Sequence, residues 1–109
     1  MEELDTDETS FTSELSSDAA GNLTIKLVGE LDISSAGAFR TTVDQIVASR
    51  PERLVFDLSQ LSFMDSSGIA VMVYAANHSG EVQLLHPSSI VRRIVEATGL
   101  SEILGLDAS

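Results

Sequence analysis

The sequence predicts a single α/β domain in which helices pack against one or both faces of a β-sheet. Segments with strand-like patterns alternate along the chain with segments of helical periodicity. A chain of 109 residues that is 43% hydrophobic can bury one compact core, but it is too short for two ordinary domains. The chain also contains no internal repeat.

The first strands are predicted near the N-terminus. Residues 11–15 can form a short edge strand, and the turn residues Ala20-Gly21-Asn22 follow it. Residues 23–28 alternate clearly between apolar and polar side chains, as expected for a strand. We expect Gly29-Glu30-Leu31-Asp32 to end this second strand.

A helix and a central strand are predicted next. Ser34 or Ser35 can cap a helix that Pro51 stops. Helical spacing links the apolar positions Ala36, Phe39, Val43, Ile46 and Val47. The continuous apolar run at residues 53–58 predicts a strand in the middle of the sheet, covered on both faces.

The apolar residues 69–76 predict a buried helix that ends within residues 77–80. Gly80 suits a left-handed cap at its C-terminus. Residues 82–85 predict a further short strand, which Pro87 closes.

A last helix is predicted between a serine cap, at Ser88 or Ser89, and Gly99. One face of this helix carries Ile90, Val91, Ile94 and Val95. Residues 100–104 add either a short helical turn that docks on the core or a β-strand.

Negative charge is concentrated near the N-terminus. The formal net charge is −11, and residues 1–20 hold seven acids and no base, which leaves ten acids and six bases in the rest. We therefore expect residues 1–10 to be an acidic flexible leader and residues 11–109 to be the folded domain. Without a basic stripe, the chain should not bind nucleic acid or anionic membranes directly. A protein partner is expected instead.

The composition also bears on the cellular compartment. The chain has no apolar run near the roughly 18 residues of a membrane span, and its first residues are acidic, unlike a signal peptide. We therefore expect a cytoplasmic protein. The absence of cysteine excludes disulfides, thiolate metal ligands and a cysteine nucleophile.

The segment Asp65-Ser66-Ser67-Gly68 carries the most informative chemistry. It lies at a predicted strand-to-helix junction, where a Ser or Asp side chain can accept from helical N–H groups that lack internal partners. A plain N-terminal cap is one interpretation. A phosphorylation switch is the other, because the helix dipole tolerates a phosphate on Ser66 while that phosphate opposes docking to an acidic or apolar partner surface.

The run from Leu58 to Ile69 resembles the signature of STAS domains in anti-sigma factor antagonists. Three further segments resemble motifs of that family, in its order and near its spacing: Gly29-Glu30-Leu31-Asp32, Gly80-Glu81-Val82 and Thr98-Gly99-Leu100. The resemblance covers roughly residues 10–106. On these motifs the chain is identified as a member of the family.

The resemblance implies a single STAS domain with a four- to five-stranded mixed sheet and helices packed mainly on one face. It implies an antagonist that binds an anti-sigma factor serine kinase when unphosphorylated and thereby releases a sigma factor. The kinase is expected to phosphorylate Ser66 and end the complex, and a phosphatase to reset it. The free chain is expected to be a monomer without cofactor, metal or catalytic residues. The implied partner-binding residues are Asp32, Asp65, Ser66, Ser67, Gly68 and Ile69.

Two other function classes stay open. A non-signalling STAS subunit of a lipid transporter complex would bind a nucleotide-binding partner without phosphorylation. An enzyme could use His78 or His86 as the base for a serine nucleophile, but the chain lacks a Gly-x-Ser-x-Gly elbow. The spacing of Asp32, Asp57 and Asp65 matches no metal-binding loop.

Overall fold

The computed structural model describes residues 11–106, and its elements alternate as the sequence predicts. The strands are β1 (Thr12–Ser17), β2 (Leu23–Leu31), β3 (Arg53–Met64) and β4 (Glu81–Leu85), and the helices are α1 (Ala36–Val47), α2 (Ser66–Asn77) and α3 (Ser89–Thr98). The predicted acidic leader, residues 1–10, lies outside the described residues. None of the helices within residues 11–106 is long and apolar enough to cross a bilayer.

The four strands form one mixed sheet in the order β1-β2-β3-β4. β1 pairs antiparallel with β2, whereas β2, β3 and β4 pair in parallel. Within residues 11–106 the sheet therefore has the lower of the two predicted strand numbers. Because parallel strands end at the same edge of a sheet, the loops after β2 and β3 are neighbours there.

A single apolar core lies between the helices and one face of the sheet. Alternate residues of the parallel strands point into it, namely Ile25, Leu27, Leu54, Phe56, Leu58, Val82 and Leu84. All three helices add buried side chains to the same core, among them Phe39, Met72 and Val95. The rings of Phe39 and Phe56 meet edge to face with their centroids 5.7 Å apart. The predicted packing of helices on one face is confirmed.

The other face of the sheet carries half-buried polar side chains around one buried valine, Val55. Thr24 and Lys26 on β2 lie beside Val55 and Asp57 on β3, and Gln83 flanks Val55 on the far side. None of these side chains belongs to the helix-covered core. β3 is therefore central, as predicted, but the expectation that both of its faces are covered is wrong.

β2 and β3 are both longer than their sequence patterns predict. β2 continues to Leu31, so the expectation that Gly29-Glu30-Leu31-Asp32 ends the strand holds only for its last residue. Two shifts of register, after Lys26 and after Gly29, keep β2 paired with β3 as far as Met64. Gly29 has a φ of +104°, which a residue with a side chain rarely adopts, and this supports the second irregularity.

α2 ends at Asn77, within the predicted range, but Gly80 is not its left-handed cap. The residue after the helix is His78, with a φ of −120°. Gly80 is needed for another reason, because a Cβ at this position would overlap the carbonyl oxygen of Glu52. Gly80 therefore has a steric role, and the predicted left-handed cap at this residue is wrong.

The ends of α3 follow the sequence prediction. Ser88 is the N-cap, its Oγ accepting from the Val91 N–H at 3.1 Å, and Gly99 ends the helix with a φ of +76°. Ile90, which was expected on the buried face, is 57% exposed, whereas Val91, the next residue in the same turn, is fully buried.

The segment after α3 forms turns, so the helical-turn alternative is nearer to the structure than the strand. Leu104 is fully buried in the core, as the docking expectation requires. Leu106 then forms an isolated parallel bridge with Leu84 at the outer edge of β4.

Candidate functional site

The predicted site lies where the loops after β2 and β3 leave the same edge of the sheet. Leu31 and Met64, the last residues of the two strands, are register partners. The Asp65 N–H donates to the Leu31 carbonyl at 3.1 Å. Gly68 allows close packing here, because a Cβ would lie 2.6 Å from two side-chain carbons of Leu31. Leu31 therefore ties the loop that starts at Asp32 to the loop that starts at Asp65.

Asp65 is the N-cap of α2 and orders the second loop. Its backbone is extended, with φ −112° and ψ −171°, and its Oδ1 accepts from the Ser67 N–H at 2.9 Å. Capping by Asp65 makes Ser66 the first residue of the helix. Ser66 is exposed, and within the part of the chain that the structure describes its hydroxyl has no hydrogen-bond partner. This hydroxyl is accessible to another protein.

The residues that follow Ser66 turn progressively into the core. Ser67 is half-buried and donates its N–H to Asp65. Gly68 is buried against Leu31, and Ile69 is only 4% exposed in the apolar core. Gly68 and Ile69 thus support the loop from beneath and present little surface to a partner.

The loop between β2 and α1 is held by a compact hydrogen-bond network. Asp32 Oδ1 accepts from the Ser34 N–H at 3.0 Å and from the Ser34 hydroxyl at 2.7 Å. Ser35 Oγ accepts from the Asp32 N–H and donates to the Glu30 carbonyl, both at 3.0 Å. Ser35 is the N-cap of α1 by position, but its side chain caps no helical N–H. The two serines, which were predicted as alternative caps, instead fix the loop around Asp32.

We expect Ser34→Ala to raise the pKa of the Asp32 carboxyl. The hydrogen bond from the Ser34 hydroxyl holds this pKa below its ordinary value. A carboxyl with a lowered folded pKa contributes stability above its unfolded pKa, about 3.9, and loses it as the pH falls through the folded pKa. NMR titration of the Asp32 carboxyl carbon in both proteins measures the difference. Ser49→Ala, which removes a hydroxyl that donates to the Ile46 carbonyl on another part of the surface, is the control. An unchanged Asp32 pKa in Ser34→Ala would contradict this assignment.

Ile33, which no sequence pattern singled out, lies between Asp32 and Ser34 at the tip of the same loop. Its side chain is 81% exposed, more than any other large hydrophobic residue among residues 11–106. The feature of the sequence that could have drawn attention to it is a single apolar residue inside a polar turn.

The structure places His78 away from Ser66. α2 has 12 residues, about 18 Å at the usual rise per residue, and His78 follows its last residue. The His78 ring lies beside the Tyr74 ring, with centroids 4.3 Å apart, and its Nδ1 is 2.8 Å from the Tyr74 carbonyl oxygen. His78 is therefore not placed to act as a base for Ser66. Within residues 11–106 no cluster of three or more His, Asp or Glu could hold a metal ion.

A groove of about 650 Å³ lies near the C-terminal ends of α1 and α2, where Tyr74 and His78 contribute to its lining. Asp44 on α1 accepts from the Tyr74 hydroxyl at 2.5 Å and from Arg40 Nε at 3.3 Å. The Arg40 guanidinium also lies 3.6 Å from the centre of the Tyr74 ring. These contacts join α1 to α2 and lie apart from the two loops.

Comparison with known proteins agrees with this geometry. A family model described as "STAS domain" matches residues 16–109. The chain is 27% identical over 92 residues to the anti-sigma-F factor antagonist RsfB of Mycobacterium tuberculosis, covering 82% of this chain and 75% of that protein. It is 32% identical over 89 residues to the anti-sigma F factor antagonist of Paenibacillus polymyxa, covering 77% and 76%.

Solved structures share the fold. The crystal structure of an anti-sigma factor antagonist from Mycobacterium paratuberculosis has a TM-score of 0.80 and 26% identity, covering 95% of this chain and 91% of that one. The anti-sigma factor antagonist SpoIIAA in its unphosphorylated form has a TM-score of 0.75 and 24% identity, covering 90% of each chain. At 24% identity this second likeness bears on the fold alone.

Proposed function

Since the chain belongs to the STAS domain family, we propose that it is an anti-sigma factor antagonist whose binding is switched off by phosphorylation of Ser66. Under this proposal the unphosphorylated chain binds an anti-sigma factor serine kinase in the cytoplasm and releases a sigma factor. Phosphorylation ends the complex, and a phosphatase restores the binding form. The chain itself catalyses no reaction, is a monomer when free, and contacts neither nucleic acid nor membranes.

The observation that carries the proposal is the position of the Ser66 hydroxyl. It is exposed at the first residue of α2, and the neighbouring carboxylate of Asp65 is occupied as the helix cap. A kinase can therefore reach this hydroxyl without unfolding the loop. The positive end of the helix dipole stabilises a phosphate at this position, so modification is compatible with the fold.

The chemistry of phosphate accounts for the loss of binding. Phosphorylation adds a charge of about −1.5 to −2 at neutral pH. A partner that docks on Asp32, Asp65 and Ser67 has to remove water from this dianion, which is costly unless new cationic partners replace the water. Gly68 and Ile69 are the other two predicted contact residues. In this proposal they pack beneath the loop and hold it in the form that the partner binds. The fold stays intact while the surface that the partner contacts changes.

A protein of the same fold gives a precedent for the modification. The structure of SpoIIAA of Bacillus is known in the phosphorylated form, and it has a TM-score of 0.68 and 23% identity to this chain. A domain with this fold can therefore carry a phosphate. The transfer of that property to Ser66 of this chain is part of the proposal.

The test is intact-mass measurement and phosphosite mapping after incubation with candidate anti-sigma factor kinases and ATP. We expect one phosphate on the wild-type chain, its loss in Ser66→Ala, and its retention in the control Ser67→Ala, whose hydroxyl is half-buried. Mapping of the phosphate to another residue would overturn the proposed site. A kinase that binds but modifies nothing would favour a constitutive antagonist or a transporter subunit.

A further inference from the structure

Ile33 is a large apolar side chain that the fold presents to solvent at the tip of the loop between β2 and α1. Single exposed hydrophobic residues are common on protein surfaces, so exposure alone proves nothing. Ile33 differs from Ile90 and Ile103, which are 57% and 55% exposed, both in its greater exposure of 81% and in its surroundings.

The chain on both sides of Ile33 is fixed by hydrogen bonds. Asp32 accepts from the N–H and the hydroxyl of Ser34, and Ser35 accepts from the Asp32 N–H and donates to the Glu30 carbonyl. The loop is thus ordered before any partner arrives, and an ordered contact residue loses less conformational entropy on binding. The hydrogen bonds of Asp32, Ser34 and Ser35 thus fix a loop in which the Ile33 side chain is exposed.

Ile33 and Ser66 lie on neighbouring loops at the same edge of the sheet. Leu31 and Met64 are register partners, and Ile33 and Ser66 each lie two residues beyond them. The hydrogen bond from the Asp65 N–H to the Leu31 carbonyl joins the two loops at their base. A protein that contacts Ser66 therefore approaches the edge of the sheet from which the Ile33 loop also leaves.

The charges around Ile33 indicate what such a protein should offer. Residues 30–35 and 63–68 contain Glu30, Asp32 and Asp65 but no lysine or arginine. A partner complementary to this edge carries cations that match the three carboxylates and an apolar pocket between them. A phosphate on Ser66 also attracts these cations, so the proposed loss of binding requires that the cost of removing water from the phosphate exceed this attraction.

We propose that Ile33 is an apolar anchor that inserts into a pocket with a basic rim on the anti-sigma factor that contacts Ser66. The inference rests on the proposed function, because it assigns the partner of the same site. It adds a contact residue in a separate segment of the chain, outside the Asp65-Ser66-Ser67-Gly68 motif.

The test is titration of the full-length chain with each full-length candidate anti-sigma factor by isothermal calorimetry. Ile33→Ala is expected to weaken binding about tenfold or more, as for a central interface residue. Ile103→Ala and Ile90→Ala are matched controls, because they remove the same atoms from exposed sites elsewhere, and each should change the affinity less than about twofold. Ile33→Leu keeps a side chain of equal volume and should bind better than Ile33→Ala. Thermal unfolding of every variant checks that the fold is retained.

The outcomes separate this inference from the proposed function. If the wild-type chain binds an anti-sigma factor and Ile33→Ala binds it as tightly, the anchor is wrong and the proposed function stands. Equal losses in all three alanine variants would also overturn the anchor. If no anti-sigma factor binds the wild-type chain, the proposed function and the anchor fail together.

Discussion

Replacing Ser66 by aspartate is expected to weaken binding of the anti-sigma factor by about 100-fold or more. The substitution places a charge where the proposed complex excludes water, and an uncompensated buried charge costs about 3–5 kcal/mol. Ser66→Ala keeps the site neutral and should bind within about threefold of the wild-type chain. Calorimetric titration of the three proteins measures these differences.

The control for the charge itself is Ser16→Asp. Ser16 is exposed on β1 and pairs with Thr24 near the start of β2, whereas the site lies beyond the end of that strand. This variant carries the same added charge and should bind within about twofold of the wild-type chain. Equal weakening by Ser16→Asp and Ser66→Asp would mean that net charge, rather than the position of Ser66, controls binding.

Phe56→Ala is expected to lower the free energy of unfolding by about 3–5 kcal/mol. Phe56 is fully buried on the central strand β3, and its ring packs edge to face against Phe39 of α1. Truncation leaves a cavity between the sheet and α1 and removes this ring contact. Urea denaturation monitored by circular dichroism measures the loss.

Phe63→Ala is the matched control for this prediction. Phe63 lies on the same strand but is 40% exposed, so the same truncation should cost about 1 kcal/mol or less. Because domains of this size are stable by only about 5–15 kcal/mol, Phe56→Ala could unfold at low urea. Phe56→Leu leaves a smaller cavity, and its free energy of unfolding should lie between those of Phe56→Ala and the wild-type chain. Similar losses for Phe56→Ala and Phe63→Ala would contradict the assigned core.

The order of strands and helices could be predicted because the apolar residues of the sequence follow the periodicities of strands and helices. The clear alternation of residues 23–28 and the helical spacing of residues 36–47 both correspond to the elements found. Strand length could not be predicted, because the extension of β2 through Gly29 depends on pairing with β3. Two shifts of register make that pairing possible, and no local pattern encodes them.

The local geometry of the candidate site was predicted in part. A cap at Asp65 or a neighbouring serine follows from local chemistry, and the structure selects Asp65. The role of Ser35 could not be predicted, since its hydroxyl bonds to the Glu30 carbonyl and the Asp32 N–H instead of to the helix. The exposure of Ile33 was missed because exposure is set by the tertiary fold, while periodicity reports only on regular elements.

The hydrogen bond between the Asp65 N–H and the Leu31 carbonyl joins two loops that are distant in the chain. One of these loops holds the Ser66 hydroxyl, the proposed phosphorylation site, and the other holds Ile33. After gene duplication, substitutions at Ile33 could redirect one copy to a new anti-sigma factor while the segment around Ser66 stays unchanged. In this way, two signalling pathways in one cell could use the same phosphorylation chemistry without cross-reacting.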